Sequence, residues 1–216
     1  MLFDKPNLNI GIDFDNTIVD YGSIFAKIAF SLGYLAFNEN MTKNEVKKII
    51  KESDDGERKW GILQSEVYSK GIYQAETMDG FSNFVCECRD RQINLSVISH
   101  KSSSNPHDPL NRDLKKPALD WMKCHNFFVK GAYGFSLNQV FFEETVEDKL
   151  AKIKKLNCTH FIDDLLKVLT HPFFPKNTQK ILFLKRPLEI KEKSIDYEGD
   201  WRIITNYLIL GKFHAA

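Results

Sequence analysis

Apolar residues along this chain follow two rhythms. Leu8-Asn9-Ile10-Gly11-Ile12-Asp13-Phe14 alternates apolar residues and then stops on the polar cluster Asp15-Asn16-Thr17, the pattern of a buried strand that ends in a loop. Residues 93–99, 139–142, 160–163 and 181–184 form four more short runs of this kind. Between them the spacing is helical. Phe81, Phe84, Val85 and Cys88 mark a helix before the second strand. Leu119, Trp121 and Met122, behind Lys115-Lys116-Pro117, mark one before the third, and Lys149, Leu150, Ile153 and Leu156 one before the fourth. Trp201, Ile204, Tyr207 and Leu208 mark a last helix that packs back on the sheet. Strands alternating with helices predict a mainly parallel sheet covered on both faces.

Residues 21–77 break the alternation, with three helical patterns and no strand. Ile24, Phe25, Ile28, Ala29 and Leu32 form the first. Thr42-x-x-Glu45 opens the second as a capping box, with Val46, Ile49 and Ile50 on one face. Trp60, Leu63, Val67 and Tyr68 form the third, in which periodicity assigns Trp60 to the core. This stretch reads as a small all-helical domain, 21–77, inserted into a sheet domain made of 1–20 and 78–216. Residues 100–113, rich in Ser, Asn, Pro and Asp, read as an irregular loop.

Composition narrows the partners. Lys and Arg total 30 against 29 Asp and Glu, so no global field favours a polyanion, and neither nucleic acid nor a membrane surface is expected as a partner. Residues 1–6 hold an acid and a proline where a secretory signal needs an apolar stretch, and no run reaches the length of a membrane span. The expectation is a cytoplasmic protein. Cys86, Cys88, Cys124 and Cys158 lack the spacing of a disulfide framework or a zinc site and read as free thiols.

The candidate chemistry lies where predicted strands end. Asp13 and Asp15 close the first strand, and Asp163 and Asp164 close the fourth. Open parallel sheets bind ligands at that edge. Acids gathered so closely repel one another unless a cation sits among them, and an all-oxygen donor set is the kind Mg²⁺ takes. Ser99 ends the second strand with a hydroxyl, and Lys149 opens the helix before the fourth with an ammonium. A hydroxyl and a point charge suit the oxygens of a phosphoryl group.

Asp13-Phe14-Asp15-Asn16-Thr17-Ile18-Val19 resembles the DxDxT(V/I/L) motif of the haloacid dehalogenase-like (HAD) hydrolases. Val97-Ile98-Ser99 resembles that superfamily's second motif, Lys149 its third and Phe161-Ile162-Asp163-Asp164 its fourth, in the family's order from residue 13 to residue 164. The helical insert falls where many members carry a cap. The resemblance implies a three-layer, Rossmann-like α/β core with a small helical cap, and a phosphatase. Asp13 would attack phosphorus and form an aspartyl-phosphate. Asp15 would protonate the leaving alkoxide, deprotonate the hydrolytic water and lend its main-chain carbonyl to Mg²⁺. Thr17, Ser99 and Lys149 are the implied phosphate-binding set, with Thr17 orienting the loop. Asp13, Asp15, Asp163 and Asp164 are the implied metal ligands. Dehalogenases lack the second acid, so Asp15 points to a phosphate ester, and a capped site to a small phosphorylated metabolite.

Lys152 competes with Lys149 on the same helix, and Lys149 is preferred. His100 and Lys101 could touch the leaving group, and Arg58 and Lys59 a sugar or nucleotide, although solvated positions account for them as well. Two other readings stand beside phosphatase: phosphoryl transfer to another hydroxyl, as in sugar phosphomutases, and a silent domain that binds a phosphorylated ligand or a protein.

Overall fold

A computed structural model of the chain describes residues 8–36, 38, 40–102, 107–108, 110–185 and 193–211. The N-terminal residues 1–6 and positions 103–106 and 109 of the expected loop lie outside that set. In chain order the elements are β1 (Asn9–Ile12), β2 (Val19–Asp20), α1 (Ile24–Ser31), α2 (Lys43–Lys51), α3 (Gly56–Ser69), β3 (Glu76–Thr77), α4 (Phe81–Asp90), β4 (Asn94–His100) and α5 (Lys115–Cys124). There follow β5 (Val140–Glu143), α6 (Val146–Lys155), β6 (His160–Asp163), α7 (Leu166–Leu169), β7 (Gln179–Phe183), β8 (Tyr197–Gly199) and α8 (Trp201–Leu208). All five expected strands are present. β8 and the two-residue strands β2 and β3 are additional, each too short to show an alternation.

Six strands form one sheet in the order β5-β4-β1-β6-β7-β8, every neighbouring pair parallel. The sheet is parallel, as the alternation predicted, and the fold is the three-layer, Rossmann-like α/β one that the resemblance implied. From β1 the chain builds outward through β4 to β5, then returns to lay β6 on the other side of β1 and continues to β8. The direction of winding therefore reverses beside β1, and a crevice opens there outside the carboxyl ends of the strands. Ile10, Ile12, Val97, Ile98, Phe161 and Ile162 are all fully buried, as strands covered on both faces require. Gly11 is needed for that packing, because a Cβ at its position would lie 2.7 Å from the Phe161 ring.

The chain divides into two compact units, one of residues 1–18, 77–100 and 126–216, the other of 19–76 and 101–125. The first holds the sheet. In the second, Tyr21, Phe25, Trp60 and Tyr68 pack ring against ring, with Trp60 stacked on Phe25 at 5.6 Å. Thr42 and Glu45 form the expected capping box at the start of α2. Val46 and Ile50 are buried, but Ile49, at the edge of the same face, is exposed. α5 departs from the sequence reading, which placed it with the sheet. It groups with the helices, where the Trp121 indole donates to the Ala75 carbonyl at 2.8 Å. Periodicity identifies a helix but not the layer it joins. No helix among the described residues is long and apolar enough to cross a membrane.

Candidate active site

β1 ends at Ile12, and the next main-chain N–H, that of Asp13, donates to the Ile162 carbonyl at 2.8 Å. Sheet hydrogen bonding thus extends one residue beyond the strand and fixes the Asp13 backbone beside the end of β6. Asn16 then takes a left-handed conformation (φ 62°), and the Ile18 N–H closes a turn onto the Phe14 carbonyl at 2.9 Å. Asparagine tolerates that conformation better than most residues.

Ser99, near the end of β4, donates from its hydroxyl to Asp13 Oδ1 at 2.9 Å. Lys149 lies in the first turn of α6, whose cap Thr145 accepts from the Asp148 N–H at 3.0 Å. Lys149 shares the buried face of that helix with Leu150 and Ile153, and its ammonium donates to Asp13 Oδ1 and to Asp163 Oδ2, both at 2.6 Å. The other oxygen of Asp163 accepts from the Leu165 N–H at 2.8 Å. Both side-chain donors to Asp13 fall on one oxygen, so Oδ2 takes part in neither bond.

Burial alone would push the Lys149 ammonium below its ordinary value. The charges of Asp13 and Asp163 and their hydrogen bonds outweigh burial, so Lys149 is held protonated. Asp163 moves the other way from a simple ion-paired acid. Burial, with the charge of Asp13 behind it, raises its carboxyl above the usual carboxylate range although Lys149 opposes the rise. One ammonium does not balance two buried carboxylates.

Oxygens of Asp13, Asp163 and Asp164 lie within 4.8 Å of one another. Three carboxylates at that separation make an all-oxygen donor set that fits a hard divalent cation. The half-buried Asp15 carboxylate stands outside this triad; the role implied for Asp15 in metal binding concerns its main-chain carbonyl.

Thr17, implied as a phosphate ligand, is bonded into the fold at two atoms. Its hydroxyl accepts from the Asp164 N–H at 3.1 Å, and its carbonyl accepts from the Trp201 indole at 2.9 Å. It ties the turn after β1 to the turn after β6 and to α8, the loop-orienting half of the implied role. Lys152 is not at the site: it pairs with Glu143 at 3.1 Å and lies 4.3 Å over the Phe141 ring. His100 meets the Glu144 carbonyl through Nε2 at 2.9 Å. Lys101 is buried in the helical unit, 5.1 Å over the Tyr68 ring. Arg58 is an exposed partner of Asp55, and Trp60 is core, as its spacing predicted. Burial pushes the Cys88 thiol up to about 12 and the Cys158 thiol to about 11, so both remain protonated and inert.

Sequence reasoning missed the support beneath these groups. Phe161 presents its ring 5.2 Å below the Lys149 ammonium, and Trp201 anchors Thr17 from 184 residues away. Alternation marked Phe161 as apolar, but nothing local could pair Trp201 with Thr17.

No protein-family model and no curated protein matches the chain. Solved structures do. A HAD family hydrolase from Deinococcus radiodurans, with bound phosphate and sodium, matches with a TM-score of 0.57 at 9% identity over 99% of this chain and 100% of that one. A haloacid dehalogenase-like protein from Streptococcus pneumoniae matches at 0.57 and 16% identity, covering 93% and 97%. A putative beta-phosphoglucomutase from Thermotoga maritima matches at 0.54 and 13%, covering 93% and 98%. At such identities the likeness is one of fold, and the fold is that of the HAD-like hydrolases.

Proposed function

We propose that this protein is a Mg²⁺-dependent phosphatase that hydrolyses the phosphate monoester of a small metabolite through an aspartyl-phosphate at Asp13. One observation carries the reading: Ser99 and Lys149 both bind Oδ1 of Asp13 and leave Oδ2 as the oxygen for attack. Oδ2 bonds to phosphorus as the bond to the leaving alkoxide breaks, and Asp15 gives that alkoxide its proton. Asp15, now a carboxylate, takes a proton from water. The resulting hydroxide displaces Asp13 from phosphorus, releasing inorganic phosphate and restoring both acids.

An ammonium has three donors. Lys149 spends two on carboxylates and has the third for a phosphoryl oxygen. Ser99 orients Asp13 with its one hydroxyl hydrogen, which would swing to a phosphoryl oxygen when substrate binds. Mg²⁺, held by Asp13, Asp163, Asp164 and the Asp15 carbonyl, would neutralise the charge that builds as carboxylate meets phosphate. Read as a cap, the helical unit would limit substrates to small molecules and exclude bulk water.

The test is phosphate release from an aryl phosphate and from a panel of sugar phosphates, nucleotides and short organic phosphates. Wild-type protein is expected to turn over with Mg²⁺, to stop with a chelator, and to resume when Mg²⁺ is restored. Asp13→Asn should lose about a thousandfold or more. Transfer of the phosphoryl group to an added sugar hydroxyl in preference to water would replace hydrolysis by phosphotransfer. Release from no member of the panel would overturn the enzyme reading.

A further inference from the structure

The outer side of α6 carries a feature that the proposed chemistry does not use. Glu147, Ala151 and Lys154 are exposed at positions i, i+4 and i+7, one stripe along the helix, with Leu150 buried beneath them. Beside the stripe Phe173, on the connection after α7, leaves 76% of its surface in solvent. These five residues line a groove of about 330 Å³. Its edge is tied at one end, where His171 lies 3.9 Å from Glu147 and 5.6 Å, ring to ring, from Phe173. At the other end Lys154 makes no ion pair among the described residues.

An exposed phenyl ring beside a groove floored by leucine and alanine is a place for another apolar ring. The charges indicate whose. Positions 147 and 154 are symmetric about the point between 150 and 151. A two-fold axis through that point sets two copies of α6 antiparallel, with Glu147 of one copy against the partner's Lys154 and Lys154 against the partner's Glu147. The same axis offers each Phe173 to the other copy's groove. An isologous contact of this kind is closed and self-complementary. A partner peptide of one sign would satisfy one end of the stripe and oppose the other.

We propose that this stripe is the interface of a two-fold homodimer. Two helical turns and one ring make a small interface of the transient class.

Sedimentation velocity of the full chain over a wide concentration range tests the proposal. The wild type is expected to pass from monomer to dimer, and Phe173→Ser to stay monomeric. Lys154→Glu alone and Glu147→Lys alone set like charges together and should each weaken association about tenfold or more. The two combined should restore it. Far-UV circular dichroism and thermal midpoints check that each variant is folded; should a helix substitution unfold α6, Phe173→Ser, which lies outside the helix, decides. A wild type that stays monomeric throughout, a dimer untouched by Phe173→Ser, or a folded double exchange without restored association would overturn the proposal.

Discussion

Two places in the molecule hold a cation between two acids, and they are built to opposite ends. In the helical unit, the Arg112 guanidinium bonds Glu66 through Nη2 and lies 3.5 Å from Asp108 Oδ1 through Nη1. Every carboxylate oxygen there is occupied. The second oxygen of Glu66 pairs with Lys70 at 3.0 Å, and Asp108 also accepts from the Leu110 and Arg112 N–H groups, each at 3.1 Å. In the sheet unit Lys149 bridges Asp13 and Asp163 through single-point contacts, and Asp13 keeps Oδ2 out of them. A site in which every carboxylate oxygen is taken makes a lock, even though Nη1 of Arg112 is buried there without a hydrogen bond among the described residues. A point charge that holds one oxygen of a carboxylate and spares the other keeps a nucleophile ready.

The largest effect should come from Lys149→Met, which leaves two buried carboxylates without their cation. We expect loss of phosphate release and a stability cost of about 3–5 kcal/mol in denaturant unfolding. Lys152→Met, on the half-exposed Glu143 pair, is the control and should fall within about 1 kcal/mol of wild type. Equal effects of the two would erase the contrast. Arg112→Met tests the lock: about 2 kcal/mol of stability should go, while turnover of a small aryl phosphate stays within tenfold, since no reacting group is touched. A loss of turnover as deep as that of Lys149→Met in a folded Arg112→Met variant would show that the lock is part of the chemistry.

The smallest effect concerns His160, at the start of β6. Burial holds its imidazole below the ordinary value, with Gln179 and Asp196 opposing more weakly. The folded state therefore binds its proton less readily than the unfolded chain. The contribution to stability is whole above the unfolded value near 6.5 and drains away as the pH falls through the lower folded value. Thermal midpoints between pH 8 and pH 5 should decline less steeply in His160→Leu than in the wild type. Parallel slopes would remove His160 from the acid response.

Legibility in the sequence follows the range of the interaction. The strands were readable because Ile10, Ile12, Phe161 and Ile162 answer to a local period. Lys149 was separable from Lys152 only by preference. The structure divides them by helix phase, since Lys149 lies on the face of Leu150 and Ile153 while Lys152 turns toward Glu143. The carboxylates could be placed at one edge because parallel strands end together. Which oxygen each donor chooses could not be foreseen, because it depends on side-chain positions set by Phe161 and Leu165. α5 joined the helical unit through the reach of Trp121 to Ala75, a contact across 46 residues that no periodicity encodes.

The indole of Trp201 on the Thr17 carbonyl bears on how the protein comes into being. The neighbours of β1 arrive more than eighty and one hundred and forty residues after it, and the turn beyond it gains its indole anchor only when α8 has been synthesised. Contacts so distant in sequence make for slow folding, because loop closure must precede the gain from pairing. On the ribosome β1 emerges well before the strands and helix that complete it, and its carboxylates become an ordered set only after β6 has followed it.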